Sequence, residues 1–332
     1  MTASRRRLLR QAIAVAGASA AGSLFTVPSA RAQAAAWPSR PLRLIVPFPP
    51  GGATDNVARV LVKALSQSLG QQVVIDNRAG ANGRLGTELA AQAAADGQTL
   101  LFGGIGPLTI APHLDKVPYD PARDFTPVSC VVFYDSVLVA NPSLPADDIR
   151  GLIAYLKRPD TRANYASSGS GGPYHMGFEL FKALAGVEIN HVPYKGDGPA
   201  IIDLAAGNVQ CMITSTSAAM PQIRAGRIKV LASAGSRRAA LFPEIGTIAE
   251  QGVPGYSLDA WGGLIGPAGL APAIVTTLYE AVRQAATDPA LAEGFAAQGG
   301  AFIGNRPDEF AAFLASEFRK WGQLIRERRL NV

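Results

Sequence analysis

Cysteine, histidine and long apolar runs are what this sequence has least of. Its 332 residues contain two cysteines and three histidines, and no segment after residue 34 is long and continuously apolar enough to span a bilayer. Cys130 and Cys211 stand in apolar runs, outside the paired spacings of metal or redox sites. They read either as two buried small side chains or, in an oxidising compartment, as a disulfide. His113, His175 and His191 fall in three different contexts with no metal-ligand spacing, so no metal is assigned. No glycine loop ends in Gly-Lys-Ser or Gly-Lys-Thr, and the first loop lacks the Gly-x-Gly-x-x-Gly spacing, which leaves no nucleotide cofactor to assign.

Acidic residues are absent from residues 1–34, which hold Arg5, Arg6, Arg7, Arg10 and Arg31. The whole chain has a formal charge of +6, but with those five arginines set aside 26 basic residues face 25 acidic ones. The basicity belongs to the leader, and nucleic acid is not an expected partner. A basic start, an apolar stretch over 12–27 and small residues ending at Ala34 give the layout of a cleaved export signal. Arg5 and Arg6 ahead of Leu8 and Leu9 are similar to a twin-arginine signal, with a general secretory signal as the alternative. The mature chain is long enough for two domains.

What is present is an alternation of short apolar strands and amphipathic helices, interrupted by glycine-rich loops. Strands are expected over 42–46, 73–75 and 99–102, with helices over 55–69 and 85–95 between them. This pattern predicts an α/β fold with a parallel or mixed sheet covered on both faces. Asp55, just ahead of an amphipathic run, reads as a helix cap. Three loops follow the strands, over 48–54, 76–83 and 103–107, and in open α/β sheets ligands gather at such strand ends. Residues 118–127 read as a surface connection, and strands over 128–133 and 136–140 as the crossing into a second lobe.

The order strand, small polar and glycine loop, helix recurs at 163–184, with Ser167, Ser168, Gly169, Ser170 and Gly171 in the loop. A strand over 188–192 runs into a turn with Lys195, and another over 209–213 ends in the hydroxyls of Thr214, Ser215, Thr216 and Ser217. Three helices, over 272–286, 291–298 and 307–327, finish the chain. The domains expected are 1–34 as export signal, 35–136 as the first part of lobe 1, 137–255 as lobe 2, and 256–332 as the return to lobe 1.

Two chemistries compete for these loops. A serine nucleophile needs a base within hydrogen-bond reach and a group to orient it. Ser167, Ser168 and Ser170 lie near His175, but Gly169-Ser170-Gly171 is not a nucleophile elbow, and a capping or binding role for His175 outweighs catalysis. A secreted hydrolase using 167–170 is therefore the alternative reading. In the preferred one, backbone amides and hydroxyls from both lobes hold a small acid without converting it. Lys195 either balances a carboxylate or is an ordinary surface lysine.

Five segments in this order carry a specific resemblance: Pro47-Phe48-Pro49-Pro50-Gly51-Gly52-Ala53-Thr54-Asp55, Gly80-Ala81-Asn82-Gly83, Ala95-Asp96-Gly97-Gln98-Thr99-Leu100, Val192-Pro193-Tyr194-Lys195-Gly196, and Trp261-Gly262-Gly263-Leu264-Ile265-Gly266-Pro267. From about Trp37 onward the chain resembles the solute-binding proteins of tripartite tricarboxylate transporters, the Bug family. Gln98 departs from the aromatic residue common in that family. The resemblance implies a two-lobed, type II periplasmic-binding fold with a mixed sheet in each lobe and no enzymatic activity. It implies a periplasmic monomer, a small carboxylated solute and a two-component membrane permease, with a sensor protein as the alternative partner. By the same resemblance the ligand loops are Phe48, Pro50, Gly51 and Thr54 facing Ser168, Gly169 and Ser170, with Lys195, Thr216 and Ser217 added from nearby loops.

Overall fold

The computed structural model describes residues 37–331. The export signal over 1–34, its twin arginines and its cut site lie outside the described residues. Two mixed sheets organise the rest.

The first sheet has the order β11-β4-β10-β3-β1-β2. Strand β1 (Leu42–Val46) pairs in parallel with β2 (Val73–Asn77) and β3 (Thr99–Gly104). Four of its five residues are buried, as expected of a strand covered on both faces. Helix α1 (Ala53–Leu69) connects β1 to β2 and buries Val57, Ala58, Leu61 and Leu65 at helical spacing. A 3-10 turn (Ala81–Gly83) and α2 (Arg84–Ala91) connect β2 to β3. Beyond β3 the chain coils through a π-helical turn (Gly106–Ile110) into the short α3 (Ala111–Leu114).

The segment expected to be a surface connection over 118–127 is partly sheet. Strand β4 (Phe125–Tyr134) begins inside it, because Phe125 turns inward and pairs with Pro267 at the end of β10 (Ala260–Pro267). Asp135 alone separates β4 from β5 (Ser136–Ala140), the first strand of the second sheet. Its amide donates to the Gly299 carbonyl at 2.7 Å and its carbonyl accepts from the Thr216 amide at 3.0 Å, so this one residue is tied to both halves. Its buried carboxylate takes Arg237 at 3.1 Å and the Ala240 amide at 2.9 Å.

The second sheet runs β7-β6-β8-β5-β9, from β5 through β6 (Asn164–Ser167), β7 (Asn190–Pro193), β8 (Cys211–Ser215) and β9 (Lys229–Ser233). Helices α4 (Ile149–Leu156), α5 (Pro173–Ala185), α6 (Asp197–Ala206) and α7 (Thr216–Arg224) connect its strands. Helix α7 is not anticipated by the hydroxyl run that precedes it. Ser215 ends β8 and caps α7, its Oγ accepting from the Ala218 amide at 3.3 Å. Cys130 on β4 and Cys211 on β8 are both buried free thiols, pushed up in pKa by burial, so the disulfide alternative does not apply.

After β10, helices α8 (Pro272–Ala285) and α9 (Pro289–Ala297), strand β11 (Gly300–Phe302) and α10 (Pro307–Arg328) complete the chain. Helix α10 buries Phe310, Trp321, Leu324 and Ile325 and packs on α5, and its Arg328 meets Glu188, in the segment between α5 and β7, at 2.7 Å. Strands β3 and β10 meet through glycines, Gly103 opposite Gly263 and Gly104 opposite Gly262. A Cβ on Gly263 would stand 2.4 Å from Phe310, and one on Gly103 2.7 Å from Leu108. Large side chains from neighbouring elements occupy that space.

Candidate functional site

Residues 47–52 leave β1 and enter α1, and what fixes them is a buried acid rather than a cap. The helix begins at Ala53 with Gly52 in the cap position, so Asp55 lies inside the first turn. There it is fully buried and accepts from the Gly51 amide at 2.9 Å, Arg59 Nε at 2.8 Å and Asn77 Nδ2 at 2.9 Å. Asn77 also donates to the Phe48 carbonyl at 3.1 Å, so one carboxylate and one amide tie loop, helix and β2 together. Burial works against the charged form of Asp55, but the hydrogen bonds from Arg59, Gly51 and Asn77 outweigh it and hold the carboxyl below the usual range. Phe48 packs against Gly83, where a Cβ would come within 3.3 Å of both Phe48 and Pro107. Gly83 also has φ +88°, a second reason for glycine there.

Across the cleft, Ser167 is buried at the end of β6 and shares a 2.7 Å hydrogen bond with His191 Nε2. The Gly171 amide donates to His175 Nδ1 at 3.0 Å, so His175 fastens the loop onto the start of α5. The two imidazoles stack at 4.0 Å, with Tyr165 stacked on His191 at 4.8 Å. The turn at 194–196 lies on the same loop, the Tyr194 amide donating to Ser167 O at 2.9 Å and Gly196 to Ser168 O at 3.1 Å. No hydrolase emerges from this arrangement. Ser167 is sealed in the sheet, and both histidines spend a ring nitrogen on holding the loop.

Burial, then the neighbouring His191, push the His175 pKa down to about 4. The unfolded chain, at the ordinary 6.5, therefore binds a proton that the folded chain refuses between those values. Stability is complete above pH 6.5 and falls as pH drops towards 4, by roughly 2–3 kcal/mol from this group. Thermal unfolding from pH 7.5 to 4.5 should show this loss, and His175→Gln should make it shallower, the remainder coming from His191 and His113, whose pKa values burial also lowers. An equally steep profile in that variant would assign the loss to other groups.

Between the two loops lies a cavity of about 600 Å³. Phe48, Ala53 and Thr54 line it from the first loop, Asn82 and Arg84 from the second, and Gly103 to Gly106 from the end of β3 and the turn that follows. Facing them are Ser168 to Tyr174, Asp197 at the start of α6 and Ser215 at the end of β8. Tyr134, Trp261 and Gln298 add to the wall from the first lobe. The structure thus brings Phe48, Thr54, Ser168, Gly169 and Ser170 together. Pro50, Gly51, Lys195, Thr216 and Ser217 are not in the cavity wall. Pro50, Gly51 and Lys195 are exposed, and the Gly51 amide is taken by Asp55. Thr216 is buried with its Oγ1 on the Asp135 carbonyl at 3.1 Å, and the Ser217 hydroxyl turns to Ser215 at 3.5 Å.

Several buried polar atoms around this cavity lack a well-aligned hydrogen-bond partner: Tyr134 Oη, Asp197 Oδ1 and Trp261 Nε1 in its wall, with Ser136 Oγ and Thr214 Oγ1 on the adjoining strands, although the Thr54 hydroxyl stands near Tyr134 and those of Thr214 and Ser168 near Asp197. Buried polar groups are normally satisfied, so a concentration of unpaired ones marks a place for a polar ligand. Tyr134, Tyr174, Asp197, Ser215 and Trp261 were not among the residues assigned from sequence. The run 214–217 carried the signal for Ser215, and the switch from strand to helix decides which of its hydroxyls faces the cavity. Among the described residues, no group of three or more His, Cys, Asp or Glu side chains is placed to hold a metal ion.

Comparison with known proteins agrees with this geometry. The family model described as the tripartite tricarboxylate transporter family receptor matches residues 57–330. The protein BugT of Bordetella pertussis is 41% identical over 293 residues, spanning 88% of this chain and 90% of BugT. An R. palustris protein solved with adipate superposes with a TM-score of 0.75 at 35% identity, covering 87% of this chain and 97% of the other. MatC from Rhodopseudomonas palustris, solved with bound malate, gives 0.73 at 32% identity, covering 87% and 99%. The two-lobed α/β architecture is shared with periplasmic binding proteins, and the chain belongs to the tripartite tricarboxylate transporter receptors, a family of solute-binding proteins and not of enzymes.

Proposed function

We propose that this protein is a periplasmic receptor that reversibly binds a small carboxylated solute in the cleft and delivers it, as a monomer, to a two-component membrane permease. The observation that carries the reading is the cavity between the 48–54 and 168–170 loops, lined largely by neutral groups. Phe48 closes its apolar side, and Thr54, Ser168 and Ser170 with the Gly169 backbone supply donors for a carboxylate. Relatives solved with adipate and malate support an acid as solute. Residues 35–136 and 256–332 form one lobe and 137–255 the other. The sheets support that division, with first-sheet strands over 42–134 and 260–302 and second-sheet strands over 136–233. The family's receptors are periplasmic, and the basic, apolar leader supplies the route there.

The test is calorimetry and thermal unfolding of mature, ligand-stripped protein against a broad panel of mono-, di- and tricarboxylates. A true solute at a thousand times its Kd stabilises the fold by about 4 kcal/mol, a rise of several degrees in Tm. Absence of any shift across the panel by folded protein would sink the reading, as would turnover abolished by Ser168→Ala or Ser170→Ala.

A further inference from the structure

The charge of the cavity wall is opposite to what a simple carboxylate receptor needs. Its charged residues are Arg84, Asp115 and Asp197. Arg84 and Asp115 neutralise each other, Nη1 to Oδ2 at 2.5 Å, and Arg84 Nε is held by the Ala81 carbonyl at 3.1 Å. That leaves Asp197 as an acid without a cation in the wall.

Asp197 is the first residue of α6, set against the 168–170 loop by the hydrogen bond from Gly196 to Ser168. Its Oδ1 is buried without a hydrogen-bond partner. The hydroxyls of Thr214 and Ser168 stand close enough to favour its charged form, though burial outweighs them and raises its pKa. The amino end of α6 also favours negative charge at this position. A carboxyl group with a buried, poorly paired oxygen is costly to ionise until a cation pairs with it. An acid with two or three carboxylates and nothing else would place like charge against it.

Building on the receptor reading, we propose that the solute is a zwitterion: a carboxylate held by the neutral donors of the two loops, whose ammonium nitrogen pairs with Asp197. Asp197 then acts as the specificity-determining residue. It selects aminated acids by direct contact and rejects bare di- and tricarboxylates by repulsion.

The test compares matched pairs by calorimetry on mature, ligand-stripped protein: butyrate with 4-aminobutyrate, succinate with aspartate, glutarate with glutamate, and adipate with 2-aminoadipate. At least one aminated acid should bind on the order of thirtyfold more tightly than its partner, within the range of coupling measured for buried charge pairs. The isosteric Asp197→Asn should erase that preference, with circular dichroism and thermal unfolding reporting that the variant is folded. Native mass spectrometry of gently purified wild-type protein gives a readout independent of the variant, and the retained solute should contain nitrogen. Tighter binding of unaminated acids by the wild type overturns this proposal and leaves the receptor reading standing. So does an unchanged amine preference in Asp197→Asn, or diacid binding that weakens in that variant because a protonated Asp197 was donating. If neither class binds, both readings fall together.

Discussion

Trp261→Ala is expected to destabilise the protein by about 3–5 kcal/mol, the usual cost of emptying a large aromatic site in a core. The side chain is only 2% exposed on β10 and meets Phe310 and Phe313 edge-on, with ring centroids 5.6 and 6.0 Å away. The same residue is part of the cavity wall, so the space it leaves would join the binding site. In a chain of this size the loss corresponds to a fall in Tm on the order of 10 °C. Trp261→Phe separates the two roles in part, removing the unpaired Nε1 donor while keeping one aromatic ring in the packing and losing the volume of the other. If Nε1 serves the solute, this variant loses less stability than Trp261→Ala and about tenfold in affinity, the worth of one hydrogen bond. A Trp261→Ala protein within about 1 kcal/mol of the parent would contradict the burial argument.

The second large effect is expected at Asp55. Replacement by alanine removes a carboxylate with three hydrogen-bonded partners and leaves the Gly51 amide and one end of Asn77 without theirs. Arg59 is half exposed and regains water, so its share is small. The unpaired groups and the emptied site together suggest a cost of about 2–4 kcal/mol. Binding should suffer beyond the loss of stability, because the same carboxylate holds Phe48 and Thr54 in place. Calorimetry well below the variant's Tm should show weaker affinity even where the protein is fully folded. Unchanged affinity would mean that the 47–52 loop is set by the helix alone.

Much of the architecture is readable before any coordinates. The apolar run 42–46, the periodicity of Val57, Ala58, Leu61 and Leu65, and the recurrence of strand, glycine loop and helix at 163–184 are local signals. The structure realises each where it was expected. What escaped depends on contacts distant in sequence. Phe125 joins the sheet only because Pro267 lies opposite it, and β11 is three residues long, with no pattern of its own. Asp55 reads locally as a cap, and only Asn77, 22 residues on, explains why it is buried one turn further in. The candidate site was legible as two loops, but Tyr134, Asp197 and Trp261 come to it from the end of β4, the start of α6 and the start of β10.

The glycine seam between β3 and β10 restricts how this receptor could acquire a new taste. Gly103 and Gly104 form one side of the binding chamber, and no smaller residue exists with which to enlarge it there. Adding bulk to Gly103 or Gly263 meets Leu108 or Phe310 first. Divergence towards other solutes is therefore channelled to the opposite bank, where Ser170 stands exposed on a loop rather than in a strand.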